Sequence, residues 1–402
     1  MSLSNTSRDY GSVTKTFHWL TALLILTALP LGILAQQAPM ATGDQIAQKA
    51  LLFSLHKTVG ISAFFLGLLR ILWSITQTRP GLLNPEEKLE AHAAHAVHWL
   101  LYASMVLVPL TGWIHHAATT GFAPILWPFG QDLPFVPKSE TLAALTASLH
   151  FLFMLVLAGS ILAHVGGALK HFVIDRDQTL QRMLPGTHSA PTPPNAQSSR
   201  APLAAALVIW LTALGAGVVT GNLQNHQTSQ ETTTVLEVQP SDWQVTSGEL
   251  AIQVHQFGSD VTGTFADWSA AITFDETATD GKHGDVTVQV AIPTLTLGSV
   301  TQQALGADFF DAAQHPTATF QANILPAETG YIARGTLSLK GAEMPVELPF
   351  ALILDGDTAQ MTGQVALDRR DFEIGASMPD ESSLAFKVIV DVSLTATRTP
   401  MS

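Results

Sequence analysis

Five runs of mostly apolar residues, roughly 19 to 35, 51 to 75, 96 to 114, 141 to 169 and 202 to 220, fill the first half of this 402-residue chain. Crossing the hydrocarbon core of a bilayer as a helix takes about 20 such residues, and a spanning segment must satisfy its own backbone hydrogen bonds because lipid offers none. The first half therefore reads as a helical membrane domain. Composition agrees: only 13% of the residues are charged and the mean hydropathy is +0.27, whereas soluble domains carry roughly 25% charged residues. Arg8 and Lys15 ahead of the first run would also suit a cleaved signal peptide. That run, however, ends Ile33, Leu34, Ala35 rather than in a small-x-small cleavage pattern, so it is kept as a span.

The loop cations set the orientation. Arg8 and Lys15 precede the first run, Arg70, Arg79 and Lys88 lie at or after the end of the second, and Lys170, Arg176, Arg182 and Arg200 lie between the fourth and fifth. The alternate side holds Lys49, Lys57 and Lys138. An N-terminus in the cytoplasm follows, and five spans then carry the second half to the outside. The stretch TPPNAQSSRAP, residues 192 to 202, reads as an inner linker. Residues 222 to 234 form a polar outer linker, which reaches on the order of 40 Å when extended and keeps whatever follows near the membrane. Charge divides at the same place: 12 Lys+Arg against 9 Asp+Glu up to residue 230, then 7 against 23. So acidic a second half would repel phosphates, which excludes nucleic acid as a partner.

The chain has no cysteine, which excludes disulfides, thiolate zinc sites, iron-sulfur clusters and thioether-linked haem. A redox metal must be held by histidine or oxygen. Twelve of the fifteen histidines fall in the membrane half, where an imidazole by default faces the bundle interior or a pathway. His150 and His164 share the fourth run, fourteen residues apart; at about 100° and 1.5 Å per residue they lie within roughly 40° of one face and about 21 Å apart. His18 matches His164 in depth and His56 matches His150. Two axial nitrogens on facing helices with apolar walls are what haem b needs, and hydrogen bonding between helices is the alternative use of each histidine. Arg70 follows His56 by fourteen residues and so faces the inner pair, either as a propionate partner or snorkelling to the interface. His92, His95 and His98 are spaced i, i+3, i+6 at the inner start of the third run, as proton or quinone contacts or as solvated residues. Lys57 is read either as a propionate partner at the outer pair or as solvated at the interface, His115 and His116 as solvated at the outer end of the third run, and Lys170-His171 as suiting a helix C-terminus.

Taken together, "FHWL" with His18, "LHKTVGI" with His56, "HAVHWLLY" with His95 and His98, "SLHF" with His150 and "AHVGGALKHF" with His164 resemble the small bacterial cytochrome b561 proteins. The resemblance spans about residues 8 to 185. It implies a four-helix dihaem bundle with two b haems, electron exchange with a membrane quinone, and His18, His56, His150 and His164 as the ligands of the haem irons.

From about Val235 the pattern changes to short alternating strands such as "GELAIQVHQF", "GDVTVQVAI", "VELPFALIL" and "AFKVIVDVSL", punctuated at Asp280-Gly281, Thr329-Gly330, Lys340-Gly341 and Asp355-Gly356. Such spacing predicts an antiparallel sandwich or barrel of about eight strands. "GSVTQQALGADFFDAAQHP" is the one helical or looped stretch. Neither a nucleophile triad nor a catalytic carboxylate pair stands out. His255, His283 and His315 are scattered without metal spacing and read as surface. The segments "GTFADWSAAITFD", "ADFFDAAQHPTATF", "GTLSLKGAEMPVEL" and "RRDFEIG" resemble the YceI family of lipocalin-like periplasmic barrels, over roughly residues 240 to 398. Trp243 departs from that family, standing where a tyrosine is usual. This resemblance implies a polyisoprenoid or isoprenoid-quinone ligand inside the barrel, and an eight-stranded barrel is just wide enough for one slender molecule. Phe265, Trp268, Phe274, Phe309, Phe310, Phe320, Phe350 and Phe372 are the candidate lining residues, packed core being their alternative role.

The expected organisation is thus a cytochrome b561-like membrane domain at 8–185, a cytoplasmic linker at 186–201, a fifth transmembrane helix at 202–221, a linker at 222–234 and a YceI-like barrel at 235–398. The fold class is an α-helical membrane bundle, four haem-bearing helices plus a fifth spanning helix, followed by an antiparallel, lipocalin-like β-barrel. The expected function is an oxidoreductase of the bacterial inner membrane that moves electrons between a periplasmic donor, with superoxide a candidate, and membrane quinone. The alternative is an isoprenoid carrier or sensor whose cytochrome relays electrons for a separate dehydrogenase.

Overall fold

The computed structural model describes residues 2–40, 42–84, 86–119, 123–186, 199–220, 236 and 241–399. The outer linker at 222–234 and most of the inner one at 186–201 lie outside the described residues. Contacts divide the chain into two compact units, residues 1–37, 52–118 and 125–227 in one and 38–51, 119–124 and 228–402 in the other.

Five long helices make the membrane bundle: α1 (Ser12–Gln37), α2 (Gly43–Thr76), α3 (Lys88–Ala118), α4 (Glu140–Lys170) and α5 (Ala201–Val219). Each contains an apolar window long enough to cross a membrane. Helix α4 shows why lipid rather than water is its solvent. It buries Leu152, Phe153 and Leu157 while exposing Leu155, Leu162, Val165 and Leu169, and a helix apolar all round belongs in a core or a bilayer. Ser139 caps its start by accepting from the Leu142 N–H at 3.3 Å, satisfying one of the orphan amides of the first turn. Its end passes into a π-helical turn at His171–Asp175, closed by Arg176 at φ 54°. Helix α5 docks Trp210, Ala213 and Leu214 against Val108 of α3 and Leu152, Phe153 and Leu157 of α4.

The polar ends of the bundle are tied by cations reaching backbone carbonyls. Lys15 donates to the Leu184 and Gly186 carbonyls at 2.9 and 3.0 Å, and the buried Arg182 donates to those of Gly81 and Arg8. These bonds join the start of α1, the α2–α3 connection and the segment after α4, which fixes the end of the bundle where His18 and His164 lie.

The second unit carries ten strand segments: β1 (Trp243–Gln256), β2 (Ser259–Phe265), β3 (Trp268–Thr279), β4 (Lys282–Ala291), β5 (Leu295–Thr296), β6 (Thr317–Pro326), β7 (Tyr331–Leu339), β8 (Ala342–Asp355), β9 (Thr358–Asp368) and β10 (Leu384–Arg398). All neighbours run antiparallel. β1 pairs with β10 along its length and, on its other edge, with β2 and then β3 at Trp243–Ile272. β2 and β3 thus share one place in the wall, and the sheet closes into an eight-position barrel, as the sequence predicts. Register is set at the hairpins. Asp280-Gly281 and Lys340-Gly341 each hold two consecutive residues at positive φ, the geometry of a type I′ turn that matches strand twist. β8 alternates cleanly, with Val346, Leu348, Phe350, Leu352 and Leu354 facing the interior and Glu347, Pro349, Ala351, Ile353 and Asp355 exposed.

Candidate functional site

Two pairs of imidazoles meet within the helical bundle. His18 of α1 and His164 of α4 have ring centroids 6.0 Å apart; His56 of α2 and His150 of α4 are 6.2 Å apart. Two imidazoles that bind one metal ion through nitrogens about 2.0 Å away place their centroids roughly 6 Å apart, so both pairs have the separation that a shared axial metal requires.

The second pair is oriented for it. His56 Nδ1–H donates to the Ala28 carbonyl at 2.9 Å and His150 Nδ1–H to the Val108 carbonyl at 2.8 Å, which fixes the tautomer and leaves Nε2 to bind a metal. Each imidazole also lies against a glycine four residues further along the helix that accepts its proton. A Cβ on Gly32 would fall 2.8 Å from His56 Cε1, and one on Gly112 would fall 2.9 Å from His150 Cε1. The first pair is arranged differently. Arg70 Nη2 approaches His18 Nδ1 at 3.3 Å as donor, so His18 can turn a lone pair on Nε2 toward a metal only once Arg70 has released Nδ1. The guanidinium has alternative neighbours in the Tyr102 ring, 5.7 Å away, and Met105 Sδ at 3.9 Å.

The structure also brings His98 to this cluster, its ring 5.1 Å from that of His164 and its Nδ1 bonded to the Ala94 carbonyl. Among the described residues no ring contact joins His95 to either pair, and its side chain is exposed. Two expectations change. Helix α3 continues to Ala118, so His115 and His116 lie on its last turn rather than in a solvated loop. His115 donates to the Ala143 carbonyl at 2.8 Å, while His116 is buried and its Nε2 is 2.8 Å from Lys57 Nζ. Lys57, next to His56 in the chain, is thereby held inside the bundle instead of solvated.

The second candidate site is the barrel interior, a cavity of about 280 Å³ lined by all eight aromatic residues expected there, from Phe265 to Phe372. Tyr331 stacks on Phe350 with centroids 5.7 Å apart and meets Phe274 edge-on. Trp243 closes that end of the cavity: it is 2% exposed, donates to the Phe274 carbonyl at 3.4 Å and carries the Arg398 guanidinium 4.9 Å from its ring centroid. Residues missed in the sequence stand at the opposite end. Arg369, 3% exposed, donates to the carbonyls of Ala385, Ile374, Gly375, Met378 and Leu384. Gln256 and Gln303 join it in the lining.

Residues 9–186 match the family model described as prokaryotic cytochrome b561. Cytochrome b561 homolog 2 of Escherichia coli K12 is 30% identical over 185 residues, which is 46% of this chain and 95% of that protein. The chain belongs to the prokaryotic cytochrome b561 family. Membership implies a b-type haem. Beyond the cytochrome b561 domain, residues 238–396 match the model of the YceI-like domain. The probable superoxide oxidase CybB of Yersinia pestis is 25% identical over 179 residues, 44% of this chain and 97% of that one. The crystal structure of Burkholderia cenocepacia BcnA covers 37% of this chain and 96% of its own at 28% identity, with a TM-score of 0.36.

Proposed function

We propose that this cytochrome b561 is a dihaem membrane oxidoreductase that passes electrons between a periplasmic donor and membrane quinone, with its fused barrel binding the isoprenoid quinone or another polyisoprenoid. The observation that carries the reading is the pair of imidazole pairs at 6.0 and 6.2 Å, both anchored on α4 through His164 and His150. When bound, a b haem in each pair supplies a one-electron carrier.

The protein's part is orientation. Carbonyls of Ala28 and Val108 hold the outer imidazoles with Nε2 presented, and Gly32 and Gly112 let the helices approach closely enough for that contact. Arg70, released from His18, would serve as a cationic partner for a propionate at the inner pair. His98, beside His164, is the group best placed to move a proton to or from a quinone at the inner side, with His95 on the exposed surface next to it. The Lys57 ammonium, donating to a neutral His116 at Nε2 and next to His56 in the chain, supports an anionic donor such as superoxide at the outer face. Loop cations support the inner membrane as the location, with N-terminus inside and barrel in the periplasm, and tethering then gives the barrel a high effective concentration near the bundle.

The test is purification of the full chain from membranes, with haem quantified per chain and the co-extracted lipid identified by mass spectrometry. Two b haems per chain and an isoprenoid are expected. A single haem, or a barrel carrying no isoprenoid, overturns the corresponding half of the reading.

A further inference from the structure

The barrel cavity is polar at one end only. Its lining is apolar except for two indole nitrogens and the side chains of Gln256, Gln303 and Arg369. Chain direction puts these three together: β1 ends at Gln256, β4 runs out into the segment that holds Gln303, and β9 ends just before Arg369. That is the end covered by residues 292–316 and 369–383. Trp243, Phe274 and Phe350 mark the opposite, apolar end.

The polar groups there are not used up by the fold. Gln256 is 4% exposed, and its Oε1 has no hydrogen-bond partner; neither does the shielded Nε2 of Gln303. Buried polar atoms are ordinarily paired, and an orphan at a cavity wall calls for a ligand atom. Arg369 cannot fill the role, because its five N–H groups all go to backbone carbonyls. It contributes instead a positive charge that, among the described residues, no carboxylate pairs.

We infer that Gln256 and Gln303 form a head-group subsite for an isoprenoid that ends in a hydroxyl, with the tail running toward Trp243. This deepens the reading of the barrel as an isoprenoid binder and rests on it. An orphan acceptor and an orphan donor are together the complement of a hydroxyl, which donates to Gln256 Oε1 and accepts from Gln303 Nε2. A quinone carbonyl can only accept, and a hydrocarbon does neither. A prenol and a prenylated hydroquinone share the required group.

The experiment titrates the full chain, in lipid nanodiscs, with four probes: geranylgeraniol, the C20 isoprenoid hydrocarbon lacking its hydroxyl, a hydroquinone bearing the same tail, and the corresponding quinone. The alcohol and the hydroquinone are expected to bind at least tenfold tighter than the hydrocarbon and the quinone, and the tighter of those two identifies the source of the hydroxyl. Gln256→Met and Gln303→Met, close in volume to glutamine, should erase that preference, keep hydrocarbon binding and raise the unfolding temperature. A preference that survives in both variants, or equal affinity for alcohol and hydrocarbon in the unmodified chain, overturns the subsite while leaving an isoprenoid barrel. Failure of all four probes to bind overturns the isoprenoid reading and the subsite together.

Discussion

Gly32 and Gly112 are the positions at which a single methyl group would reach an imidazole, at 2.8 and 2.9 Å, well inside ordinary van der Waals contact. Gly32→Ala and Gly112→Ala are therefore expected to displace His56 and His150 and to remove the outer haem's absorbance from the purified protein while the inner one stays. His56→Ala and His150→Ala should do the same, and His18→Ala or His164→Ala should remove the inner haem instead. Retention of both spectra in all of these variants would refute the ligand assignment. On the proposed reading Arg70 would act through charge. Removing a guanidinium beside a redox centre favours the oxidised form, so Arg70→Leu should keep both haems and lower the inner midpoint potential in a redox titration. An unchanged potential would leave Arg70 a packing residue. That four histidines approach in two pairs was legible beforehand because a fourteen-residue spacing nearly restores the angular position on a helix. The glycine cradles were not, since they depend on which helix packs against which.

At the scale of elements, the corner between β9 and β10 hangs on one side chain. Arg369 ties five carbonyls from residues 374 to 385, and its loss would leave several of them buried and unpaired. Arg369→Met should destabilise the barrel by on the order of 3 kcal/mol, read as a lower unfolding midpoint in denaturant. Arg369→Lys should recover only part of this, since an ammonium has three donors and no planar fork. A midpoint within error of the parent would show that the corner holds without these bonds. Nothing in "RRDFEIG" distinguishes Arg369 from Arg370, because the carbonyls that select it lie in a loop brought back by tertiary structure. Gln256 was legible in principle: it continues the inward alternation of Leu250, Ile252 and Val254. His116 was misread because a helix end and a loop share composition, and only the extension of α3 to Ala118 buries it.

For the molecule as a whole, hydropathy and strand alternation were the strongest signals, and both the five long apolar helices and the closed barrel follow from them. Orientation makes a separate prediction. Protease added outside spheroplasts should cut within residues 222 to 234 and release an acidic fragment running from about residue 235 to the C-terminus. A fragment protected until the membrane is lysed would reverse the topology. The pairing of β1 with β10, Trp243 opposite Arg398, also governs the order in which the protein can be made. Helices complete their hydrogen bonds locally and early, but this seam joins the first strand of the barrel to its last, and such distant contacts form slowly. The wall stays unsealed along one edge until β10 has been synthesised, so the helices that precede it are complete before the container that follows them can hold anything.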